Sequence, residues 1–249
     1  MNRRHALKSL FGAALCPLCP APGFAEGAHW SYEGAAGPDH WGDLDAASKV
    51  CSAGSQQSPV DVRGSVKADL PKLDIAWRKG ADTIVNNGHT VQINVADGSA
   101  LTVGSDKYVL LQYHFHRPSE HLIGGKNFPM EAHFVHRTAA GGLGVIGVLM
   151  AAGKSNAAFA KVAAAMPKTA EATAKLDGVD PNGFLPAKRA YYSYAGSLTT
   201  PPCSETVAWM LLTDPIQVAQ ADVDAFGKLY AMNARPAQKD NRRFVLRSG

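Results

Sequence analysis

The 249-residue sequence has no run of eighteen or more apolar residues, which excludes a membrane-spanning helix. It has no internal repeat, no block of like charges and no long low-complexity linker, so nothing divides it into an array or into separate units. Excess charge is scarce as well. The first 25 residues contain Arg3, Arg4 and Lys8 and no acid; setting them aside leaves 22 basic residues against 21 acidic ones. A balance of that kind gives no reason to expect nucleic acid or another polyanion as partner. Cysteine is rare too. Of the four, Cys16 and Cys19 fall in the first 25 residues, leaving Cys51 and Cys203.

Those first residues have the layout of an export signal. Asn2-Arg3-Arg4-His5-Ala6-Leu7-Lys8 precedes a short apolar stretch from Leu10 to Leu15, and Gly23-Phe24-Ala25 offers a small-x-small cleavage site. Arg3-Arg4 with Leu7-Lys8 is similar to the twin-arginine signal, with a general secretory signal as the alternative. The expectation is a signal peptide over 1–25, a mature domain over 26–249, and a periplasmic or secreted address. The residues before Cys16 and Cys19 are leucines, which argues against a lipid anchor. Two cysteines in an oxidising compartment point to one disulfide, the alternative being two separate buried thiols.

What the chain does have is strand-like alternation. Leu73-Asp74-Ile75-Ala76-Trp77 and Val91-Gln92-Ile93-Asn94-Val95 alternate, and Leu101-Thr102-Val103 follows the turn signal Asp97-Gly98. Val145 to Met150 and Val207 to Leu212 are nearly continuous apolar runs, as expected of central strands covered on both faces. Helical spacing is limited to Phe159, Val162, Ala163 and Met166 after a Ser155 cap, and to Val223, Phe226 and Tyr230. Residues 170–190 and the C-terminal tail read as loop. The pattern predicts one mainly β domain with a few peripheral helices.

The chemistry is concentrated between Gln112 and His136. In Tyr108-Val109-Leu110-Leu111-Gln112-Tyr113-His114-Phe115-His116 the odd positions from Val109 to Phe115 are apolar, and Gln112, His114 and His116 fall on the opposite face. A strand turns every second side chain to one side, so His114 and His116 can reach one ion. Glu131-Ala132-His133-Phe134-Val135-His136 repeats the logic, with Glu131, His133 and Val135 on one face. If the two strands are neighbours, His133 supplies a third nitrogen. Three imidazoles without a thiolate suit Zn2+ and leave a fourth, open position, the mark of a catalytic site. Gln112 and Glu131, each one same-face step before a histidine, are placed to accept the distal ring N–H and fix its tautomer. For any one of these histidines the plain alternative is a hydrogen-bonded core residue.

At this point the sequence resembles the α-class carbonic anhydrases. The match runs in order through His29-Trp30-Ser31-Tyr32, Gly37-Pro38-Asp39-His40-Trp41, Gln57-Ser58-Pro59-Val60-Asp61 and Asn86-Asn87-Gly88-His89-Thr90. It continues through Phe115-His116-Arg117-Pro118-Ser119-Glu120-His121, Glu131 to His136, Gly196-Ser197-Leu198-Thr199-Thr200-Pro201-Pro202-Cys203 and Asn233-Ala234-Arg235-Pro236. The resemblance implies a single domain on a large, twisted, mostly antiparallel sheet, with one zinc ion per chain held by His114, His116 and His133. It makes Gln112, Glu131 and the main-chain carbonyl of Asn233 the partners of those ligands. Thr199, donating its proton to ionised Glu120, would orient a zinc-bound hydroxide toward carbon dioxide, with Thr200 beside it. Val135, Val145, Leu198, Val207 and Trp209 would form the apolar substrate pocket, although plain core packing explains such residues equally well. His89 matches the proton-shuttle position, while an exposed turn histidine is the ordinary alternative. His121 and Tyr194 look like structural partners beneath the site, and His29, His40 and His136 receive no catalytic role.

The resemblance also implies the Cys51–Cys203 disulfide, carbon dioxide and bicarbonate as the small-molecule substrates, a secondary esterase activity, and a homodimer, since dimers are common among bacterial relatives. Two rival readings are a Cu/Zn superoxide dismutase and a non-catalytic zinc-binding module. The first lacks its further ligand pattern here, and the intact Thr199 and Glu120 argue against the second.

Overall fold

A computed structural model describes residues 29–249, so the expected signal peptide lies outside the described residues. The alternating segments form one large mixed sheet of thirteen strands. Across its main path the order is Thr173–Asp177, Ala81–Asn86, Val91–Asn94, Asp106–His116, Met130–Thr138, Leu143–Ala152, Val207–Leu212, Tyr191–Gly196, Leu246–Ser248 and Val66–Ala68. Most neighbours run antiparallel; Leu143–Ala152 pairs in parallel with Val207–Leu212 and with Ile216–Val218. The expected mainly β architecture with few short helices is what the chain adopts.

The two faces of the central strands bury different things, which explains the continuous apolar runs. Ile146, Val148, Met150, Met210 and Leu212 join the main core with Tyr113, Phe115 and Phe134. The helices Ala157–Ala165 and Gln220–Gly227 close that core with Phe159, Val162, Val223 and Phe226. Val145, Leu149, Val207, Trp209 and Leu211 point the other way into a second, smaller cluster with Tyr194 and Val60. The histidine face of the sheet lies on that second side.

Four local expectations need correction. The helix Ala157–Ala165 is capped by Asn156, not Ser155: the Asn156 side chain accepts from the N–H groups of Ala158 and Phe159. Residues 170–190 contain the edge strand Thr173–Asp177 and a 3-10 turn at Pro181–Phe184, and the C-terminal tail adds the strand Leu246–Ser248. Thr173–Asp177 buries Leu176 alone, so it carries no alternating apolar signal to read. Within Asp106–His116 a β-bulge between Leu110 and Gln112 reverses the parity of the strand. Tyr108 and Leu110 therefore enter the core and Val109 is 47% exposed, whereas Tyr113 and Phe115 keep the buried face expected of them. Tyr230, lastly, lies past the end of its helix, where its hydroxyl donates to the Asn86 side chain.

Cys51 and Cys203 form a disulfide across a sequence separation of 152. It packs with Trp41 in a third cluster, against which Trp30 and Tyr32 lean, and so ties the N-terminal aromatic segment to the Thr199-Thr200 loop. Closing a loop of that length limits the unfolded chain, a stabilisation of about 5 kcal/mol at most in the chain-entropy model. The Cys51→Ser, Cys203→Ser double variant is expected to show a lower thermal midpoint, and reduction of the wild type should reproduce it. An unchanged midpoint would remove the disulfide from the stability account.

Candidate metal centre

The site begins with strand register. Asp106–His116 and Met130–Thr138 are antiparallel neighbours in which His114 pairs directly with His133. The pleat then sets His114, His116 and His133 on one face, with ring centroids 4.5 to 5.3 Å apart. One nitrogen from each lies within 4.8 Å of the others.

The remaining ring nitrogens are all engaged. His114 Nδ1 donates to Gln112 Oε1 at 2.8 Å, His116 Nδ1 to the Asn233 carbonyl at 2.8 Å, and His133 Nε2 to Glu131 Oε1 at 2.9 Å. These bonds leave His114 Nε2, His116 Nε2 and His133 Nδ1 with free lone pairs. His116 Nε2 is buried and has no hydrogen-bond partner, an arrangement that costs stability unless something fills it. Burial and neighbouring imidazoles hold His114 well below the usual imidazole range. Burial likewise lowers His133 and takes His116 to about 4, against the Asn233 carbonyl in the latter case. Three neutral imidazoles, one of them orphaned, fit zinc.

A second group, His121, Glu131 and His133, also has metal-ligating atoms close together. Its atoms are already spent on one another. His121 Nδ1 meets Glu131 Oε1 at 2.7 Å, and His121 Nε2 meets the Tyr194 hydroxyl at 2.6 Å, which donates in turn to Ser58 Oγ. Burial alone would raise the Glu131 carboxyl; the facing His121 and His133 overturn that and hold it well below the usual range. This chain anchors Glu131 beneath His133, in the supporting role expected of His121 and Tyr194.

Glu120 is buried beside the histidines. Its Oε1 accepts from the Arg235 main-chain N–H at 2.8 Å, while Oε2 makes no well-formed bond. Burial pushes its carboxyl up to about 7, against the opposing influence of His133, the Arg235 N–H and the adjacent Thr199 hydroxyl. A dication held by the three imidazoles adds positive charge nearby and favours the ionised form.

A cavity of 130 Å³ is lined by Trp30, Tyr32, Asn87, His89, Gln92 and Thr200 and reaches His114 and His116. Asn87 shapes the turn by accepting from the N–H groups of His89 and Thr90, and Gly88 supplies the positive φ of 81° that the turn needs. His89 stacks on Trp30 with centroids 3.7 Å apart. Val145, Val207 and Trp209 are buried in the cluster on the histidine face; Val135 and Leu198 pack against it, and the Trp209 ring stands 4.9 Å from that of His133. His136 lies on the far face, bonded to Trp77 Nε1, and His29 and His40 are exposed.

A scan of protein families matches the eukaryotic-type carbonic anhydrase domain over residues 36–248. The chain belongs to the α-carbonic anhydrase family. A carbonic anhydrase of Klebsiella pneumoniae is 39% identical over 242 residues, covering 96% of this chain and 98% of that relative. The α-carbonic anhydrase of Thermovibrio ammonificans, solved with sulfanilamide, superposes with a TM-score of 0.87 at 41% identity, covering 88% of this chain and 99% of the other. Dioscorin, solved with ascorbate, shares the fold at a TM-score of 0.83 and 28% identity, covering 88% and 97%. One fold can host several chemistries, so the donor atoms of this chain carry the argument.

Two supporting residues carry no periodic signal and received no role from the sequence. Arg235, 2% exposed, sends its guanidinium to Gln57 Oε1 and to the Ser58 and Cys51 carbonyls, which holds its N–H against Glu120. Gly147 faces His133 across the strands; a Cβ there would stand 3.1 Å from Glu131 Oε1 and 2.9 Å from Leu211 Cδ1. Glu131→Gln is expected to weaken zinc binding about 10- to 100-fold in a chelator competition, because an amide is a poorer acceptor for the His133 N–H. Equal affinity in both proteins would show that Glu131 does not tune the ligand.

Proposed function

We propose that the chain is a zinc enzyme for the reversible reaction in which carbon dioxide and water give bicarbonate and a proton. The observation that carries this reading is the set of three imidazoles, each with one nitrogen engaged and the other free toward a common point. Zinc held there supplies a Lewis acid that brings ionisation of a coordinated water into the neutral range, a general property of carbonic anhydrases.

The rest of the chemistry belongs to the chain. Glu120 accepts the Thr199 hydroxyl proton, which leaves the Thr199 oxygen as an acceptor. It then selects a nucleophile whose O–H points at Thr199 and whose lone pair faces carbon. The main-chain N–H of Thr199 steadies the negative oxygen of the product, with Thr200 beside it. Val135, Val145, Leu198, Val207 and Trp209 form an apolar wall that suits a small uncharged substrate and excludes competing water. His89, which lines the cavity, takes up the proton and releases it to solvent, a role open to an imidazole because its ordinary range lies near neutrality. Ester hydrolysis follows as a secondary activity, limited by the small cavity.

We also infer export, with residues 1–25 as the signal. The Cys51–Cys203 disulfide supports it, because such bonds persist in oxidising compartments.

Stopped-flow hydration assays on protein of known zinc content test the reading. His114→Ala is expected to lose zinc and turnover together. Thr199→Ala should keep zinc and lose about 100-fold in kcat/KM. His89→Ala should keep kcat/KM and lose about tenfold or more in kcat, restored by imidazole buffer. One equivalent of zinc without hydration in the intact protein would leave a binding module in place of the enzyme.

A further inference from the structure

The turn that carries His89 is laced to a second turn, around Glu171. Asn86 makes the link. Its N–H donates to the Ala172 carbonyl at 3.0 Å, its carbonyl accepts from the Glu171 N–H at 2.7 Å, and its side-chain amide donates to the Pro167 carbonyl at 3.0 Å. Glu171 is held there at φ 64°, a left-handed conformation in which glycine is at ease and a β-carbon is not. Its carboxylate reaches over the neighbouring turn: a Cβ built on Gly88 would lie 3.7 Å from Glu171 Oε1. His89 is the next residue. Among the described residues the Glu171 carboxylate makes no hydrogen bond and no ion pair, so local structure gives no reason for an acid here. Strained positions of this kind persist where the surrounding structure over-determines them, and they cluster at functional sites.

The groups facing His89 come from several elements. Trp30 stacks on it; His29, Tyr32 and Glu33 come from the N-terminal segment, and Tyr230 from the chain after the Gln220–Gly227 helix. Burial and His29 both hold the His89 imidazole below its usual range, and Glu171 works against them.

We propose that Glu171 is a positioning residue for proton export, its main chain held so that its carboxylate lies over the Gly88-His89 turn as the counter-charge of the imidazolium that His89 becomes while carrying the proton. This rests on the reading of His89 as the proton carrier.

The test uses the intact, zinc-loaded enzyme. In Glu171→Gln the NMR titration of the His89 ring protons moves to lower pH, and the difference from wild type shrinks at high salt. Glu171→Asp retains part of the wild-type midpoint, and Glu33→Gln leaves it in place. Hydration kcat falls about twofold or more in Glu171→Gln with kcat/KM unchanged, because the proton acceptor is weaker, and imidazole buffer restores it. Glu171→Gly suits the backbone and melts at a higher temperature than wild type, yet shows the same kcat defect. A structural role for Glu171 gives no such combination. A His89 titration that Glu171→Gln does not move overturns the proposal. So does a moved titration with unchanged kcat, in an enzyme whose His89→Ala form is slow. Wild-type turnover in His89→Ala itself removes the carrier reading and the proposal with it, an outcome recognisable because the His89 titration still responds to Glu171.

Discussion

The structure depends on one register. Because His114 stands directly opposite His133 on antiparallel neighbours, two stretches of chain that are each merely alternating become one three-nitrogen site. A slip of one residue would turn His133 to the opposite face and replace it with Ala132 or Phe134. The large main core on the other face makes that slip prohibitive, since Met130, Ala132 and Phe134 would leave it together. The hydrophobic core thus holds the polar chemistry in place from behind.

Placing several polar groups on a buried face creates a second constraint, that of satisfying them. The chain does so asymmetrically. Each imidazole has one nitrogen committed to Gln112, to the Asn233 carbonyl or to Glu131, and Glu131 is itself held through His121 and Tyr194. A buried network is stable only when its members are paired, and here the unpaired nitrogen is at the point where a ligand is needed. Arg235 plays the corresponding part for Glu120. A buried guanidinium with three carbonyl-type acceptors fixes its own main chain, and that main chain fixes the carboxylate.

The residues of the metal site are legible in the sequence because strand periodicity reports on faces, and the faces from Gln112 to His116 and from Glu131 to His133 read correctly. Periodicity fails where the pleat is interrupted or where nothing is buried. The bulge at Leu110 to Gln112 exposes Val109 and buries Leu110, the reverse of what strict alternation gives. The edge strand Thr173–Asp177 is held by main-chain pairing with Ala81–Asn86 and has little apolar pattern to betray it. Asn156 and Ser155 are equally good caps on paper, and backbone geometry alone chooses between them. Arg235, Gly147 and Glu171 act through three-dimensional adjacency across distant segments. No local spacing encodes that.

The central claim is that the free nitrogens of His114, His116 and His133 define the metal position. The most direct measurement is anomalous diffraction at the zinc absorption edge from crystals of the zinc-loaded protein. The account predicts one peak within about 2.0–2.1 Å of His114 Nε2, His116 Nε2 and His133 Nδ1, with one further light-atom ligand completing a tetrahedron. A peak among His121, Glu131 and His133 instead would contradict it, and would make the network beneath the site the metal centre.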